Sequence, residues 1–245
     1  MERKNFLKSL LVGTLSTPVL LSACNKDADA VSPATDTTGS GTGTNTGSGS
    51  GTCSVAPTET EGPFPTKSPA TYSRTDITDG RPGHKMTARI TIGNTNNSCA
   101  ALASAIVDIW HCDAQGNYSE YGGGGMQSTN YQSVHFLRGR QVTDANGLVT
   151  FTTIFPGWYN GRSTHLHVHV YSASGTSLKV TQIAFPEGAG SAVALVNGYT
   201  KGMSGYTYNA NDNVFNNDTA GVQVATVTGS TTEGFELAIR LNVPA

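Results

Sequence analysis

Hydrophobic and polar residues alternate along several short segments of this chain, most clearly from Thr164 to Tyr171. Histidines occupy positions 165, 167 and 169 of that segment, and Leu or Val fills the positions between them. Side chains two residues apart share one face of a strand, so the pattern predicts a half-buried β-strand with His165, His167 and His169 on one face. Neighbouring imidazoles on such a face, with Cα atoms roughly 6.6 Å apart, can bind one metal ion. A polar strand face turned to water is the alternative.

Six further segments alternate or are rich in β-branched residues, and Gly-, Asn- and Asp-containing turns separate them. They are Met86–Ile92, Ala105–His111, His135–Thr143, Leu148–Ile154, Leu178–Phe185 and Phe235–Val243. This arrangement predicts an all-β fold, a mostly antiparallel β-sandwich core with long loops and few or no helices. Residues 191–217, rich in Gly, Asn and Tyr, are predicted to form a long surface loop.

The first 52 residues differ in composition from the rest. Residues 1–24 combine a basic start with an apolar run and end in Leu21-Ser22-Ala23-Cys24, which resembles the signal peptide and lipidation site of bacterial lipoproteins. An ordinary secretory signal is the alternative. Residues 25–52 are mainly Thr, Gly, Ser, Asp and Ala and predict a flexible linker. We therefore expect residues 53–245 to form one exported domain, periplasmic or at the cell surface, that contacts the membrane only through an N-terminal lipid anchor.

Charge and motif content exclude several classes of function. The formal net charge is −2 and no basic cluster occurs, which argues against nucleic acid as a partner. The chain has no phosphate-binding glycine loop and no Gly-x-Ser-x-Gly nucleophile motif.

The predicted export would place the cysteines of the domain in an oxidising compartment, where a disulfide can form. With Cys24 assigned to the lipid, Cys53, Cys99 and Cys112 remain. A disulfide between Cys53 and Cys99 would tie down the start of the domain, and a Cys53–Cys112 bridge is the alternative.

Tyrosines accompany the histidine segment where acidic residues do not. Tyr159 lies six residues before His165, and Tyr118 and Tyr121 follow the segment that contains Trp110. Phenolate is a hard anionic donor and a known ligand of ferric iron in haem proteins. Two phenolates and two imidazoles would favour Fe(III) over Zn(II) or Cu(I).

Five motifs, in their order and spacing, resemble the intradiol ring-cleavage dioxygenases, which include the catechol and protocatechuate types. The motifs are TEGPF at 60–64, VDIWHCDAQGNYS at 107–119, RGRQVTD at 138–144, PGWYNGR at 156–162 leading into His165-Leu166-His167, and TQI at 181–183. The resemblance covers about Cys53 to Val243, and it is closest to exported, lipoprotein-like members.

The resemblance implies an Fe(III) cofactor held by two tyrosines and two histidines, which are Tyr118, Tyr159, His165 and His167. The family arginine stands three residues before the first histidine ligand, as Arg162 does here, and this spacing disfavours the pair His167 and His169. His169 is then expected to be a hydrogen-bonded or structural histidine, and Glu61 to order the N-terminal arm near the site.

The same resemblance implies that O2 cleaves a small aromatic diol between its two hydroxylated carbons, giving a cis,cis-muconate-type diacid. Tyr159 would leave the metal and take up a substrate proton, Arg162 would stabilise developing negative charge, and Gln182 would hydrogen-bond near the metal-bound oxygens. An exported binding module, and the same site holding zinc or copper, are the rival hypotheses. A homo-oligomer is compatible with this sequence.

Overall fold

Two β-sheets pack face to face in residues 53–245, the residues that the computed structural model describes. The predicted signal peptide, 1–24, and linker, 25–52, lie outside the described residues. One sheet contains β1 (Lys85–Asn94), β2 (Ala100–Ala101), β5 (Leu148–Ile154), β8 (Thr226–Ser230) and β9 (Gly234–Val243). The other contains β3 (Ile106–Trp110), β4 (Arg138–Val142), β6 (His165–Tyr171) and β7 (Ser177–Ala184).

The strand order confirms the predicted, mostly antiparallel β-sandwich. In the first sheet β1 pairs with β5 on one side and with β9 on the other, β8 pairs with β9, and β2 joins the end of β1. The second sheet has the order β4-β3-β6-β7 and is antiparallel throughout. Among the named strands, β1 and β9 form the one parallel pair.

The core fills the space between the two sheets. Apolar residues at alternate positions of β1 and β6 face each other and are fully or almost fully buried: Met86, Ala88, Ile90, Ile92, Leu166, Val168 and Val170. Each buried Val, Leu, Ile or Met side chain stabilises the fold by about 1.5–3 kcal/mol relative to an exposed one. The alternation that predicted the strands is therefore also what holds the sheets together.

Three local predictions differ from the structure. Strand β4 begins at Arg138 instead of His135, because Leu137 has a φ of 57° that interrupts the extended backbone. Strand β8 is absent from the prediction because its sequence, TVTGS, is polar and mostly exposed. The predicted surface loop 191–217 contains a short helix, α1 (Ala192–Val196), whose buried residues pack on the core.

Helical structure is otherwise limited. The described residues include four 3₁₀ helices, at Pro69–Tyr72, Thr95–Asn97, Tyr199–Lys201 and Asn209–Asn211. No helix within residues 53–245 is long and apolar enough to cross a membrane.

An N-terminal arm, residues 53–67, runs from the first sheet to the histidine face of β6. The Cys53–Cys99 disulfide fixes its start, and Cys112 is a buried free thiol. Further along, the amide of Glu59 donates to the carbonyl of Val180 in β7. Because the arm covers the imidazoles, both faces of β6 are buried, where the alternation predicted a half-buried strand.

Candidate metal centre

His165 and His167 direct their Nε2 atoms toward one another at the start of β6. The two Nε2 atoms are 3.2 Å apart, and both side chains are buried. Nδ1 of His165 donates to the carbonyl of Ser163 at 2.7 Å, which leaves the Nε2 lone pair available. Two imidazoles therefore present donor atoms to one point, as the i, i+2 spacing predicts.

The flanking strands and the arm hold the ring of His167. Strand register places Trp110 of β3 and Gln182 of β7 opposite it. The Trp110 indole stacks on the imidazole, with ring centroids 4.9 Å apart. On the other side Gly62 approaches so closely that a Cβ there would lie 2.9 Å from Cε1 of His167.

Tyr118 reaches the histidines from a turn that follows β3. Its hydroxyl lies 3.3 Å from Nε2 of His165, and the residue is fully buried. Asp113 shapes the turn by accepting from the amides of residues 115 and 117. Gly116 has a φ of 89°, and a Cβ there would collide with the carbonyl of Trp158, so the turn needs glycine.

Gln127 fixes the main chain of Tyr118. Its Oε1 accepts from the Tyr118 amide at 2.7 Å, and its Nε2 donates to the Tyr118 carbonyl at 2.9 Å. Phe64 of the arm stacks on the phenol with centroids 4.8 Å apart. These contacts leave the phenol little freedom to turn away from the imidazoles.

Tyr159 and Arg162 enter from the loop between β5 and β6. The hydroxyl of Tyr159 lies 3.5 Å from Nη1 of Arg162, and the same Nη1 lies 3.5 Å from Nε2 of His165. Nη2 of Arg162 donates to Oε1 of Gln182 at 2.6 Å. The structure thus brings together all six residues that the sequence predicted for the site.

Burial controls the protonation of these groups. It lowers the pKa of His165 to about 3, with a further lowering by the Arg162 charge, and it lowers the pKa of His167 well below its usual range. Burial raises the pKa of Tyr118 strongly, and it raises that of Tyr159 against the opposing effect of Arg162. Both imidazoles are therefore neutral and able to act as ligands, while the phenols need a nearby cation to ionise.

Comparison with known proteins assigns the chain to a family. The family model described as Dioxygenase matches residues 61–214, which include the second half of the arm, both tyrosines and the histidine strand. The chain belongs to the intradiol ring-cleavage dioxygenases.

Individual relatives are distant in sequence. An intradiol ring-cleavage dioxygenase from Tetranychus urticae is 26% identical and superposes with a TM-score of 0.67 over 78% of this chain and 95% of that one. The dioxygenase domain of a carbohydrate-binding fusion protein from Streptomyces sp. SirexAA-E shares the fold, with 24% identity and a TM-score of 0.55 over 78% and 99% of the two chains.

A chlorocatechol 1,2-dioxygenase from Rhodococcus opacus is 28% identical over 143 residues. The match covers 50% of this chain, which thus spans about half the length (51%) of that relative.

The donor set of this family member fits ferric iron. Within residues 53–245, no group of three or more His, Cys, Asp or Glu side chains could hold a metal ion, so a centre at His165 and His167 would need tyrosine oxygens. Tyr118 and Tyr159 are the tyrosines beside the pair that could supply them, and their ring centroids are 5.8 Å apart. Two hard oxygen donors with two imidazoles suit a trivalent cation, whose charge would offset the raised phenol pKa values.

His169 shares the face of the other two histidines but has different partners. Its Nδ1 lies 3.1 Å from Oε1 of Glu61 and 2.9 Å from the hydroxyl of Tyr171, and its Nε2 lies 2.7 Å from Oγ of Ser177. Both ring nitrogens are occupied, which matches the expected hydrogen-bonded histidine. Through its contact with His169, Glu61 joins the arm to β6.

Tyr121, the other tyrosine that follows the Trp110 segment, donates its hydroxyl to the carbonyl of Pro65.

Sequence reasoning missed several residues that shape the site of this family member. Gln127 and Phe64 hold Tyr118, Trp110 stacks on His167, and Asp212 binds Arg162. Gln127 and Asp212 lie in irregular segments rich in Gly and Asn, where no periodicity marks a buried side chain. Phe64 and Trp110 stand inside family motifs, and that was the available signal.

Proposed function

We propose that this protein is a non-haem Fe(III) dioxygenase that cleaves a catechol-type ring between its two hydroxylated carbons, forming a cis,cis-muconate-type diacid. The observation that supports this most is that three possible ligand atoms converge. Nε2 of His167 lies 3.2 Å from Nε2 of His165, and the Tyr118 hydroxyl lies 3.3 Å from the same atom. The ring of Tyr159 packs against that of His165. Tyr118, Tyr159, His165 and His167 would hold the iron. Bound Fe(III) would supply Lewis acidity that favours the doubly deprotonated diol and makes its ring reactive toward O2.

Tyr159 is suited to accept a proton from the substrate. It is the less buried of the two phenols, and burial raises the pKa of its hydroxyl. A phenolate with a raised pKa is a stronger base, so its oxygen would retain a proton taken from a diol hydroxyl. Tyr118 is fully enclosed and held by Gln127, which suits a permanent ligand.

Arg162 places positive charge where the substrate oxygens would lie. Its Nη1 is 3.5 Å from both the Tyr159 hydroxyl and His165 Nε2, and its side chain is only 11% exposed. A cation held in a site shielded from water stabilises negative charge that develops during reaction, and the loss of one such donor typically costs about 100- to 1,000-fold in kcat. Gln182 orients this cation, because its Oε1 accepts a hydrogen bond from Arg162 while its Nε2 donates one to the Thr60 carbonyl.

Oxygen consumption tests the proposal directly. The iron-loaded protein, supplied with a panel of catechols, is expected to consume O2 and to form a ring-opened diacid, identified by its mass. It should also show the visible absorption of Fe(III)-phenolate, and Tyr118→Phe should abolish or shift that band. Tyr121→Phe is the matched control, because Tyr121 packs on the same Phe64 ring but donates its hydroxyl to Pro65.

The rival hypotheses give different results. Purified protein that binds zinc or copper and consumes no O2 with any catechol would favour the alternative metal. Protein that binds no metal after growth in iron-rich medium would favour a binding module.

We further propose that the chain is exported and anchored by a lipid on Cys24. The support is the sequence of residues 1–24 and the linker composition of residues 25–52. The full chain expressed in a bacterium should incorporate labelled palmitate and partition into detergent, and Cys24→Ser should do neither. Equal labelling of both proteins would refute the anchor.

A further inference from the structure

The guanidinium of Arg162 is held on its Nε edge by a carboxylate from a distant loop. Asp212, fifty residues along the chain, places Oδ2 at 2.9 Å and Oδ1 at 3.1 Å from Nε of Arg162. Asp212 has no exposed surface, and it lies just after the 3₁₀ helix Asn209–Asn211, in the segment that the sequence predicted to be an irregular surface loop.

Each oxygen of this carboxylate also binds the main chain. Oδ2 accepts from the amide of Ser163 at 2.8 Å, and Oδ1 accepts from the amide of Val214 at 2.9 Å. The first bond ties the loop to the segment between Arg162 and His165, and the second closes a turn within the loop. The position of the carboxylate is therefore fixed independently of Arg162.

The loop encloses the arginine from a second direction. The ring of Phe215 lies beneath the guanidinium, and its centroid is 5.7 Å from Cζ of Arg162. The centroid of the same ring is 6.4 Å from that of the His165 ring. The loop itself is anchored by Tyr206, whose hydroxyl accepts from the amide of Thr164 and donates to Glu187.

With the Nε edge on Asp212, only the two terminal nitrogens of Arg162 remain for other partners. Nη2 meets Gln182 at 2.6 Å, and Nη1 points toward Tyr159 and His165. A guanidinium is planar, so fixing one edge and one terminal nitrogen determines the direction of the third N–H group. Without the carboxylate, rotation about the last side-chain bonds could turn Nη1 away from the metal centre.

We propose that Asp212 is a positioning residue for the dioxygenase reaction, one that acts through Arg162 by aiming its Nη1 at the substrate oxygens. The inference rests on the proposed function, because Arg162 has that role only if a diol binds beside Tyr159. It adds that the loop 206–215 is part of the catalytic apparatus even though none of its side chains has to touch the substrate.

The test is a double-mutant cycle on the iron-loaded full chain, made of wild type, Asp212→Asn, Arg162→Ala and the double variant. We expect Asp212→Asn to lower kcat by about 10- to 100-fold, somewhat less than loss of the arginine itself. Substrate affinity, measured without O2 from the change in the visible spectrum, should change by less than about threefold, because the diol oxygens would bind at the residues that hold the metal and not at Asp212. In the Arg162→Ala background, Asp212→Asn should lower kcat by less than about twofold.

Asp218→Asn is the matched control. Asp218, like Asp212, accepts hydrogen bonds from two main-chain amides, those of Val222 and Gln223. In either Asn variant the new side-chain NH2 group would face a main-chain N–H, so both variants lose a hydrogen bond in the same way. Asp218 does not contact Arg162. This variant should keep kcat within about threefold of wild type, because its lost main-chain hydrogen bonds lie away from Arg162.

If Asp212→Asn fails to fold, the double variant removes both charges and is the better tolerated protein. Added ethylguanidinium should then restore O2 consumption to Arg162→Ala but not to the double variant.

Different outcomes separate the two proposals. An active wild type with an equally active Asp212→Asn variant would overturn the positioning role alone. The same fold-loss from Asp212→Asn with and without Arg162 would show a merely structural role and would also overturn it. A wild-type protein that binds iron but consumes no O2 would overturn the proposed function, and this inference with it.

Discussion

The two ends of the histidine face of β6 both present imidazole side chains, but the contacts of these side chains differ. At one end His165 and His167 point their Nε2 atoms at each other, and the groups around them are phenols and a guanidinium. At the other end both nitrogens of His169 have hydrogen-bond partners, and its ring stacks on Tyr171 with centroids 3.9 Å apart. An imidazole with a free lone pair can bind a metal, whereas one whose nitrogens are both occupied stabilises the fold. The three histidines are equivalent in the strand pattern and become different only through their neighbours.

The largest expected effect is on iron binding. His167→Ala should lower iron affinity by more than about 100-fold, because loss of an outer hydrogen-bond partner alone typically costs 10- to 100-fold and a ligand costs more. His169→Ala is the matched control, two residues along the same face, and should retain iron. Metal analysis of the purified variants measures both, and equal iron loss in both variants would contradict the division of the face.

The two ends should also differ in how pH affects the stability of the metal-free protein. Burial lowers the pKa of His165 to about 3, so below pH 6.5 the unfolded chain binds a proton at this position that the folded chain does not. The free energy of unfolding therefore falls as pH falls, by about 2 kcal/mol for this residue between pH 6.5 and 5. Denaturant unfolding of His165→Asn should show a shallower pH dependence than that of wild type.

His169→Asn is the comparison for that experiment. The pKa of His169 is lowered by partial burial, but the Glu61 carboxylate opposes the shift. The pH dependence should consequently change less in this variant than in His165→Asn. A larger change in His169→Asn would mean that the buried pair does not stay neutral.

A third experiment perturbs one end of the face through the arm. Gly62 has a φ of 68°, and an added Cβ would lie 2.9 Å from Cε1 of His167. Gly62→Ala should therefore displace the ring and lower iron affinity by about 10-fold, the lower end of the range for residues that orient a ligand. Gly80→Ala is the control, since Gly80 has a φ of 71° and nothing within 4 Å of its Cβ position. Iron titration of the two variants isolates the contact with His167, and identical affinities would show that the arm does not position the ligand.

The smallest expected effect is at the His169 end. Glu61→Gln replaces a carboxylate whose side chain is 46% exposed, so its contact with His169 is weakened by solvent. The free energy of unfolding should fall by less than about 1 kcal/mol, and iron content should stay at the wild-type level. Loss of iron from this variant, measured alongside thermal unfolding, would show that the two ends are coupled through the arm.

Much of the fold could be predicted from local pattern. Strands β1, β5, β6 and β9 have alternating or β-rich sequences because one face of each packs into the core, and the predicted segments overlap all four. Strand β8 could not be predicted in this way, because its polar residues are mostly exposed and it is defined by pairing with β9. The helix α1 is five residues long, too short for a periodic signal.

The candidate site also contains residues that local sequence could predict and residues that depend on tertiary contacts. The spacing of His165 and His167 is a local property, and the resemblance to the dioxygenase family supplied Tyr118, Tyr159, Arg162 and Gln182. Asp212 and Gln127 could not be predicted as site residues, because the role of a buried carboxylate or amide depends on the distant groups that it binds. Their sequence neighbourhoods resemble ordinary solvent-exposed loops.

By itself, then, the sequence determined the strands with an apolar face, the imidazole spacing on β6, and the family. Those features depend on residues close together in the chain, where side-chain periodicity and motif spacing act directly. Only the tertiary structure decided that two of three equivalent histidines keep free donor atoms, that the arm buries the face they share, and that a loop carboxylate aims Arg162. Each of these depends on groups brought together from separate parts of the chain, because an imidazole or a guanidinium takes its chemistry from the atoms around it.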